Sequence, residues 1–156
     1  MIKINIPGRP VHELERLVLD LNGTITLDGK LIEGVQERIH ELGKLLDISI
    51  ITADTLGKAQ ILSKELGVDL HKIDARHESI QKRKFIQQLG SKKTVAIGNG
   101  TNDSLMLKEA FLGICVVGAE CAALEAINNA AHSAPHINAA LDLLIVPERL
   151  IASLRR

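Results

Sequence analysis

Short, unbroken apolar runs alternate along this chain with longer stretches of helical spacing, and that alternation limits the fold more than any other feature. Leu17-Val18-Leu19 ends in Asp20, and Ile48 to Ile51 ends at Thr52; Leu70 to Ile73, Thr94 to Ile97 and Leu112 to Val117 follow. A strand that is apolar on both faces must be covered on both faces, which points to a parallel sheet between helices. Glu33 to Leu46 puts Val35, Ile39, Leu42 and Leu46 on one helical face. Further helices are expected over Thr55 to Leu66, Glu78 to Leu89, Asn102 to Ala110, Ala119 to Asn128 and Ile137 to Leu144. Pro147 suits the first turn of a last one. Ahead of the pattern, Ile2 to Ile6 alternates and is expected to form a hairpin with Val11 to Glu15 across Pro7-Gly8. The expected architecture is α/β: a three-layer, Rossmann-like parallel sheet with helices on both faces and an N-terminal β-hairpin extension, one domain over 1–156.

Composition narrows the partners. With two Phe and no Trp or Tyr, the core has to be Ile, Leu, Val and Ala. Nineteen basic and nineteen acidic residues cancel, whereas a dedicated nucleic-acid binder needs a cationic surplus to displace counterions. No apolar run is long enough to span a membrane, and the N-terminus breaks at Pro7-Gly8 without the shape of a signal peptide. Cys115 and Cys121, in apolar surroundings, read as buried thiols of a reducing compartment. The chain is therefore expected to be cytoplasmic, with no nucleic-acid or membrane partner. His132 and His136 lack the companions of a ligand cluster and read as surface or cap histidines.

Parallel sheets of this kind bind ligands beyond the carboxyl ends of their strands, so the polar residues there carry the functional question. Asp20-Leu21-Asn22-Gly23-Thr24 follows the first core strand. A carboxylate at that place can attack phosphorus, Gly23 permits a close turn, and the Thr24 hydroxyl and nearby amides can hold phosphate oxygens. Taken singly, the segment is also a plausible Asx turn. Thr52, with Ala53 after it, could hydrogen-bond a phosphate oxygen, though alone it reads better as a helix cap. Lys82 and Lys84 open a helix, and one ammonium aimed inward would neutralise a phosphoryl group; otherwise they are a solvated basic face. Gly98-Asn99-Gly100-Thr101-Asn102-Asp103 follows the fourth strand and forms a phosphate- or metal-friendly turn. It is no dinucleotide fingerprint, because Asp103 stands where that motif needs Gly. Nucleophile, hydroxyl, lysine and acidic loop thus come in the order a phosphoaspartate enzyme requires.

That ordered set resembles the haloacid-dehalogenase-like (HAD) superfamily, and within it the phosphorylation domain of P-type ATPases and their soluble relatives. Asp20 to Thr26 is similar to D-K-T-G-T-L-T, Ile51-Thr52-Ala53-Asp54 to I-T-G-D, and Gly98 to Asp103 to G-D-G-x-N-D. Ala75-Arg76, Glu78 and Lys82 resemble the approach to the lysine of those pumps, which makes Lys82 the preferred site lysine and Lys84 the reserve. The resemblance implies a HAD-like, capless fold, because neither gap between motifs can hold a domain. Leu27 to Leu31 is expected to be a small flap hairpin turning at Asp28-Gly29. It also implies catalytic Asp20, Asn22, Thr52 and Lys82, phosphate binding by Gly23, Thr24, Thr52, Ala53 and Lys82, and Mg²⁺ held by Asp20, Asn22, Asn99 and Asp103.

Two departures from the family pattern bear on activity. Asn22 stands where the phosphatases carry an acidic general acid/base, whose help is typically worth ~10²–10⁴ in rate. Asn99 stands where the metal-binding Asp is usual, so Asp103 is expected to be the main remaining acidic anchor. The resemblance implies a Mg²⁺-dependent phosphohydrolase acting on a phosphate ester or ATP, slow to hydrolyse its phosphoenzyme. The competing reading is a non-catalytic regulatory or binding module that has lost two acids. The capless site leaves room for a bulky substrate, a protein partner or a second subunit to cover it.

Overall fold

The computed structural model describes residues 1–8, 10–54 and 57–154, and the structural statements below concern those residues. The main sheet holds, in chain order, β3 (Arg16–Asp20), β6 (Asp47–Thr52), β7 (Asp69–Lys72), β8 (Thr94–Gly98), β9 (Leu112–Val116) and β10 (His132–Ala134). Its spatial order is β10-β9-β8-β3-β6-β7, every pair parallel. Two antiparallel hairpins lie outside it: β1 (Ile2–Ile4) with β2 (His12–Leu14), and β4 (Thr26–Leu27) with β5 (Lys30–Leu31). The second turns at Asp28 and Gly29, whose φ of 51° and 74° are those of the tight turn expected of an Asp-Gly pair.

Side-chain alternation along the strands assigns the layers. Val18, Ile51, Ala96 and Cys115 face one side, where they pack with α3 (Glu78–Leu89) through Ile86, α4 (Ser104–Glu109) through Met106 and Leu107, and α5 (Leu124–Asn129) through Ala126. Leu17, Leu19, Ile48, Ile50, Val95, Ile97, Ile114 and Val116 face the other. That side is covered by α1 (Val35–Leu42), α2 (Lys58–Leu66), α6 (Ile137–Ile145) and α7 (Pro147–Leu154), with the β1–β2 hairpin. Each fully buried aliphatic side chain adds about 1.5–3 kcal/mol of transfer free energy. The Arg38 guanidinium joins α1 to α6 by donating to both oxygens of Asp142, at 2.7 and 3.2 Å. The ion pair holds the Asp142 carboxyl below its ordinary value, but its partial exposure limits it to about 1 kcal/mol or less.

Several sequence expectations are corrected in detail. The helix expected from Ala119 begins only at Leu124, because Cys121 takes φ 63° and Ala123 N–H is drawn to Asn99 O at 2.9 Å. Cys121 is exposed, not buried, while Cys115 lies in the core. The helix expected over 33–46 is regular only from Val35 to Leu42; Gly34, at φ 84°, precedes it and turns follow it. The expected start at Thr55 lies outside the described residues, and α2 is regular from Lys58. The stretch from Asn102 begins as a 3₁₀ turn over Thr101–Asp103 before α4. The edge strand β10 was not expected, since His-Ser-Ala carries no apolar pattern; it forms by pairing with Ile114–Val116. His136 does cap a helix, its Nδ1 accepting from Ala139 N–H at 3.1 Å.

Packing is close where α4 returns directly into β9. A Cβ placed on Gly113 would lie 2.1 Å from the Leu107 carbonyl oxygen, a backbone atom that cannot swing aside. Gly113→Ala should therefore destabilise the fold by about 1–3 kcal/mol through overpacking, read as a lower urea midpoint. An unchanged midpoint would show that α4 and β9 separate without cost.

Candidate active site

Alternation within β3 decides where Asp20 points. Asp20 shares the parity of Val18, so its carboxylate faces the layer of α3. On α3, Ile86 packs against that strand face, and Lys82 is four residues earlier, one helical turn nearer the carboxyl ends of the strands. Lys82 Nζ donates to Asp20 Oδ1 at 2.7 Å and to Asp103 Oδ1 at 2.6 Å. Lys82 and Asp103 have no exposed surface, and Asp20 keeps 6%.

One ammonium shared by two carboxylates leaves a net negative charge, and the ionisation of the group reflects it. Burial disfavours the Lys82 ammonium, yet Asp20 and then Asp103 outweigh that and hold its pKa above the usual lysine value. Burial, and then the charge of Asp20, push the Asp103 carboxyl up to about 6, with Lys82 pulling the other way. The second Asp103 oxygen accepts from the amides of Asn99 and Gly100, at 3.0 and 2.9 Å. Asp103 thus clasps its own loop and anchors the lysine. Of the expected metal ligands, Asp20, Asn22 and Asn99 line the cavity described below, whereas Asp103 is not among its lining residues and holds Lys82 and the loop amides.

Thr24 is equally committed. Its hydroxyl lies 3.0 Å from Asp20 Oδ2 and 3.2 Å from Asn99 Oδ1, so its proton steadies the carboxylate. Gly23, at φ 73°, brings the backbone under Asn99; a Cβ there would meet Asn99 Nδ2 at 2.6 Å and Glu120 Oε2 at 2.7 Å. Gly23 and Thr24 border a separate, mostly apolar cavity of about 170 Å³ and so support Asp20 from behind.

The cavity above Asp20 has a volume of about 460 Å³ and brings together Asp20, Asn22, Thr52, Ala53 and Asn99. Thr52 Oγ1 accepts from Asp54 N–H at 3.2 Å, a local turn bond, and since α2 begins at Lys58 after Gly57, Thr52 does not take the helix-cap place that it alone suggested. Asp54, Glu78, Gly100 and Asn102 also line it, and of these Asp54, Glu78 and Asn102 were missed as site residues in the sequence. Asn102 was legible within the Gly98–Asp103 segment. Glu78, four residues before Lys82, shares its helix face, a signal that its ordinary place at the helix start masked. Lys84 is exposed and borders a different surface depression with Arg76 and Gln81.

The donors on the cavity wall are hard oxygens: the Asp20 carboxylate, the Asn22 carbonyl and the Asn99 amide oxygen. That set fits a divalent cation such as Mg²⁺, which accepts neutral oxygen ligands and retains waters. Among the described residues no three His, Cys, Asp or Glu side chains converge as a ready ligand group.

The triad makes a sharp stability prediction. Lys82→Met leaves two buried carboxylates without their counter-charge and should cost about 3–5 kcal/mol in urea denaturation. Asp20→Asn removes a like charge from beside Asp103, so its cost should be far smaller, and the Asp103 carboxyl should titrate at lower pH by carbon-13 NMR. A Lys82→Met protein as stable as Asp20→Asn would contradict the charge assignment.

No family model matches the chain. An uncharacterized protein of Methanocaldococcus jannaschii is 46% identical over 82 residues, which are 50% of this chain and 88% of that protein. A probable copper-exporting P-type ATPase of Archaeoglobus fulgidus is 32% identical over 107 residues, 67% of this chain but 13% of the pump. Among solved structures, the cobalt-bound deoxy-D-mannose-octulosonate 8-phosphate phosphatase of Haemophilus influenzae matches with a TM-score of 0.73 at 13% identity, over 92% of this chain and 94% of that one. The 3-deoxy-D-manno-octulosonate 8-phosphate phosphatase of Moraxella catarrhalis, in complex with magnesium, phosphate and KDO, matches with 0.69 at 18% identity, over 91% and 94%. The structural likenesses establish a shared fold, and the sequence matches join this chain to the pump domain and the archaeal protein: it belongs to the haloacid-dehalogenase-like superfamily.

Proposed function

We propose that the chain is a phosphohydrolase that works through an aspartyl-phosphate on Asp20, taking a phosphate ester or ATP. One observation carries the reading: the Asp20 carboxylate forms the floor of a polar cavity, held by Lys82 on one oxygen and by Thr24 on the other. Each oxygen keeps a lone pair for attack on phosphorus, and its aim is set before substrate arrives. The presence of cobalt, or of magnesium and phosphate, in the two phosphatases of this fold supports a divalent cation as the cofactor. When bound, such a cation supplies positive charge to the phosphoryl oxygens.

The chain's own residues divide the remaining work. An Asp20 oxygen forms a bond to phosphorus as the bond to the leaving oxygen breaks, and the leaving group departs with that electron pair. In this reading Lys82 balances charge beneath the nucleophile, and Thr52 and the Ala53 amide hold phosphoryl oxygens. Water then attacks the aspartyl-phosphate, restoring the carboxylate and releasing phosphate. That second step needs a base to take a proton from water, and Asn22 cannot serve. Formation from a good leaving group should outrun breakdown.

Rapid-quench kinetics with labelled acetyl phosphate and Mg²⁺ should show a burst on Asp20 followed by slow turnover. Asp20→Asn should abolish the label, and Asn22→Asp should accelerate breakdown by ~10²-fold or more. No label on freshly prepared protein, and no gain from Asn22→Asp, would favour the non-catalytic module. In calorimetric titrations Asn99→Asp should bind Mg²⁺ more tightly than the parent chain; equal or weaker binding would remove Asn99 from the ligand set.

A further inference from the structure

Two amides stand where the phosphatase pattern carries acids, and each is followed by glycine: Asn22-Gly23 and Asn99-Gly100. We infer that Asn22 is a site of spontaneous deamidation from which the fold shields Asn99, and that the conversion puts a carboxylate on the wall of the Asp20 cavity. Its bearing on turnover rests on the Asp20 reading above.

The residue after the asparagine sets the chemistry. Glycine has no Cβ to crowd its backbone nitrogen. Once that nitrogen has given its proton to solvent, its electron pair attacks Cγ of the asparagine. The Cγ–Nδ2 bond breaks, Nδ2 leaves as ammonia with a proton from water, and a cyclic succinimide remains. Water then opens the ring. Cleavage at Cγ gives aspartate, and cleavage at the main-chain carbonyl gives isoaspartate, with an extra carbon in the main chain. The net change is amide and water to carboxylate and ammonium, with no oxidant or reductant.

At Asn99 the structure opposes each part of this. Asn99 Oδ1 lies 3.2 Å from the Thr24 hydroxyl oxygen, and Nδ2 donates to Cys121 O at 3.2 Å, so Cγ is not free to swing toward the next nitrogen. That nitrogen, of Gly100, donates to Asp103 Oδ2 at 2.9 Å. Its deprotonation would set a second anion against a carboxylate that already belongs to a net-negative triad. Conversion there waits for a local opening that breaks these bonds together.

Asn22 differs on each count. It is exposed and lines the Asp20 cavity, so water reaches its amide. Gly23 N–H donates to Thr26 O at 3.0 Å, a neutral acceptor in the same turn, and this bond slows the attack without the charge penalty met at Gly100. The two products have unequal consequences. Aspartate keeps the turn in which Gly23 takes φ 73° and Thr24 reaches Asp20, and adds a group able to take a proton from water. Isoaspartate lengthens that turn and would draw Thr24 off Asp20.

Peptide mapping of fresh and aged chain, incubated at mildly alkaline pH both folded and in urea, tests this. Cleavage after Lys and Arg separates Asn22, in the peptide 17–30, from Asn99, in the peptide 94–108. In urea the two pairs should convert at comparable rates. In the folded chain Asn22 should convert while Asn99 lags it by ~10-fold or more. Asn22→Gln, which would need a larger ring, should stay unconverted at position 22. Asn99 converting as fast as Asn22 in the folded chain, or neither converting there while both do in urea, overturns the inference. Acetyl phosphate labelling separates the two levels. The aged fraction with aspartate at position 22 should lose its label faster than fresh chain, and Asn22→Gln should gain nothing with age. Conversion with no label on any sample sinks the hydrolase reading and leaves the modification site standing; a label lost no faster from the aspartate-bearing fraction overturns the gain in turnover.

Discussion

A lysine ammonium with no exposed surface must be neutralised where it sits, and in this fold Lys82 is met by carboxylates from two neighbouring strand ends. Asp20 closes β3, at the centre of the sheet, and Asp103 lies in the turn after β8 beside it. The ammonium comes from α3, one turn above Ile86, which packs under Val18. Three segments distant in the chain are thus brought into one charged contact over an apolar floor. Such a triad is costly to bury and gains little over a well-packed apolar substitute, so its retention is better explained by what it holds in place than by stability. It orients Asp20 and, through the second oxygen of Asp103, it shapes the loop that carries Asn99 and Gly100.

The alternation of apolar runs and helical faces was enough to read the layers, because a parallel sheet leaves the same signature in every covered strand. It failed where pattern and pairing part company. His132-Ser133-Ala134 has no strand signature and becomes a strand only because β9 offers it an edge. Ala119 to Ala123 has helix-forming composition, yet is pulled over the motif loop by a bond from Ala123 to Asn99. Of the site, the sequence displayed the order of Asp20, Thr52, Lys82 and the Gly98–Asp103 turn. It could not display depth. Whether Thr24, Lys82 or Asp103 touches a ligand or stands behind the residue that does depends on which oxygen each bond occupies, and that appears only in three dimensions. Glu78 was hidden for the opposite reason: a glutamate at the start of a helix satisfies the helix dipole and so looks ordinary.

The amides at Asn22 and Asn99 change the electrostatic character of the site more than its shape. The loops still close on each other, with Thr24 bridging Asp20 and Asn99 and with Asn99 Nδ2 donating to Cys121 O at 3.2 Å. Two fewer carboxylates mean less repulsion around a triad that is already net negative. The geometry is therefore kept with weaker demand for a counter-ion, and the amide at position 22 carries no carboxyl proton to exchange. Fold and chemistry are separable in such a site, because the bonds that close its loops do not depend on an acid at position 22.

The aliphatic core has an optical consequence. With no Trp and no Tyr, the folded chain is almost dark at 280 nm and has no intrinsic tryptophan emission. A single indole introduced at Leu27, on the flap strand β4 and 37% exposed, would be the one strong fluorophore of the molecule. Its emission would report the wetting of this hairpin beside the apolar cavity bordered by Gly23 and Thr24, without any background to subtract.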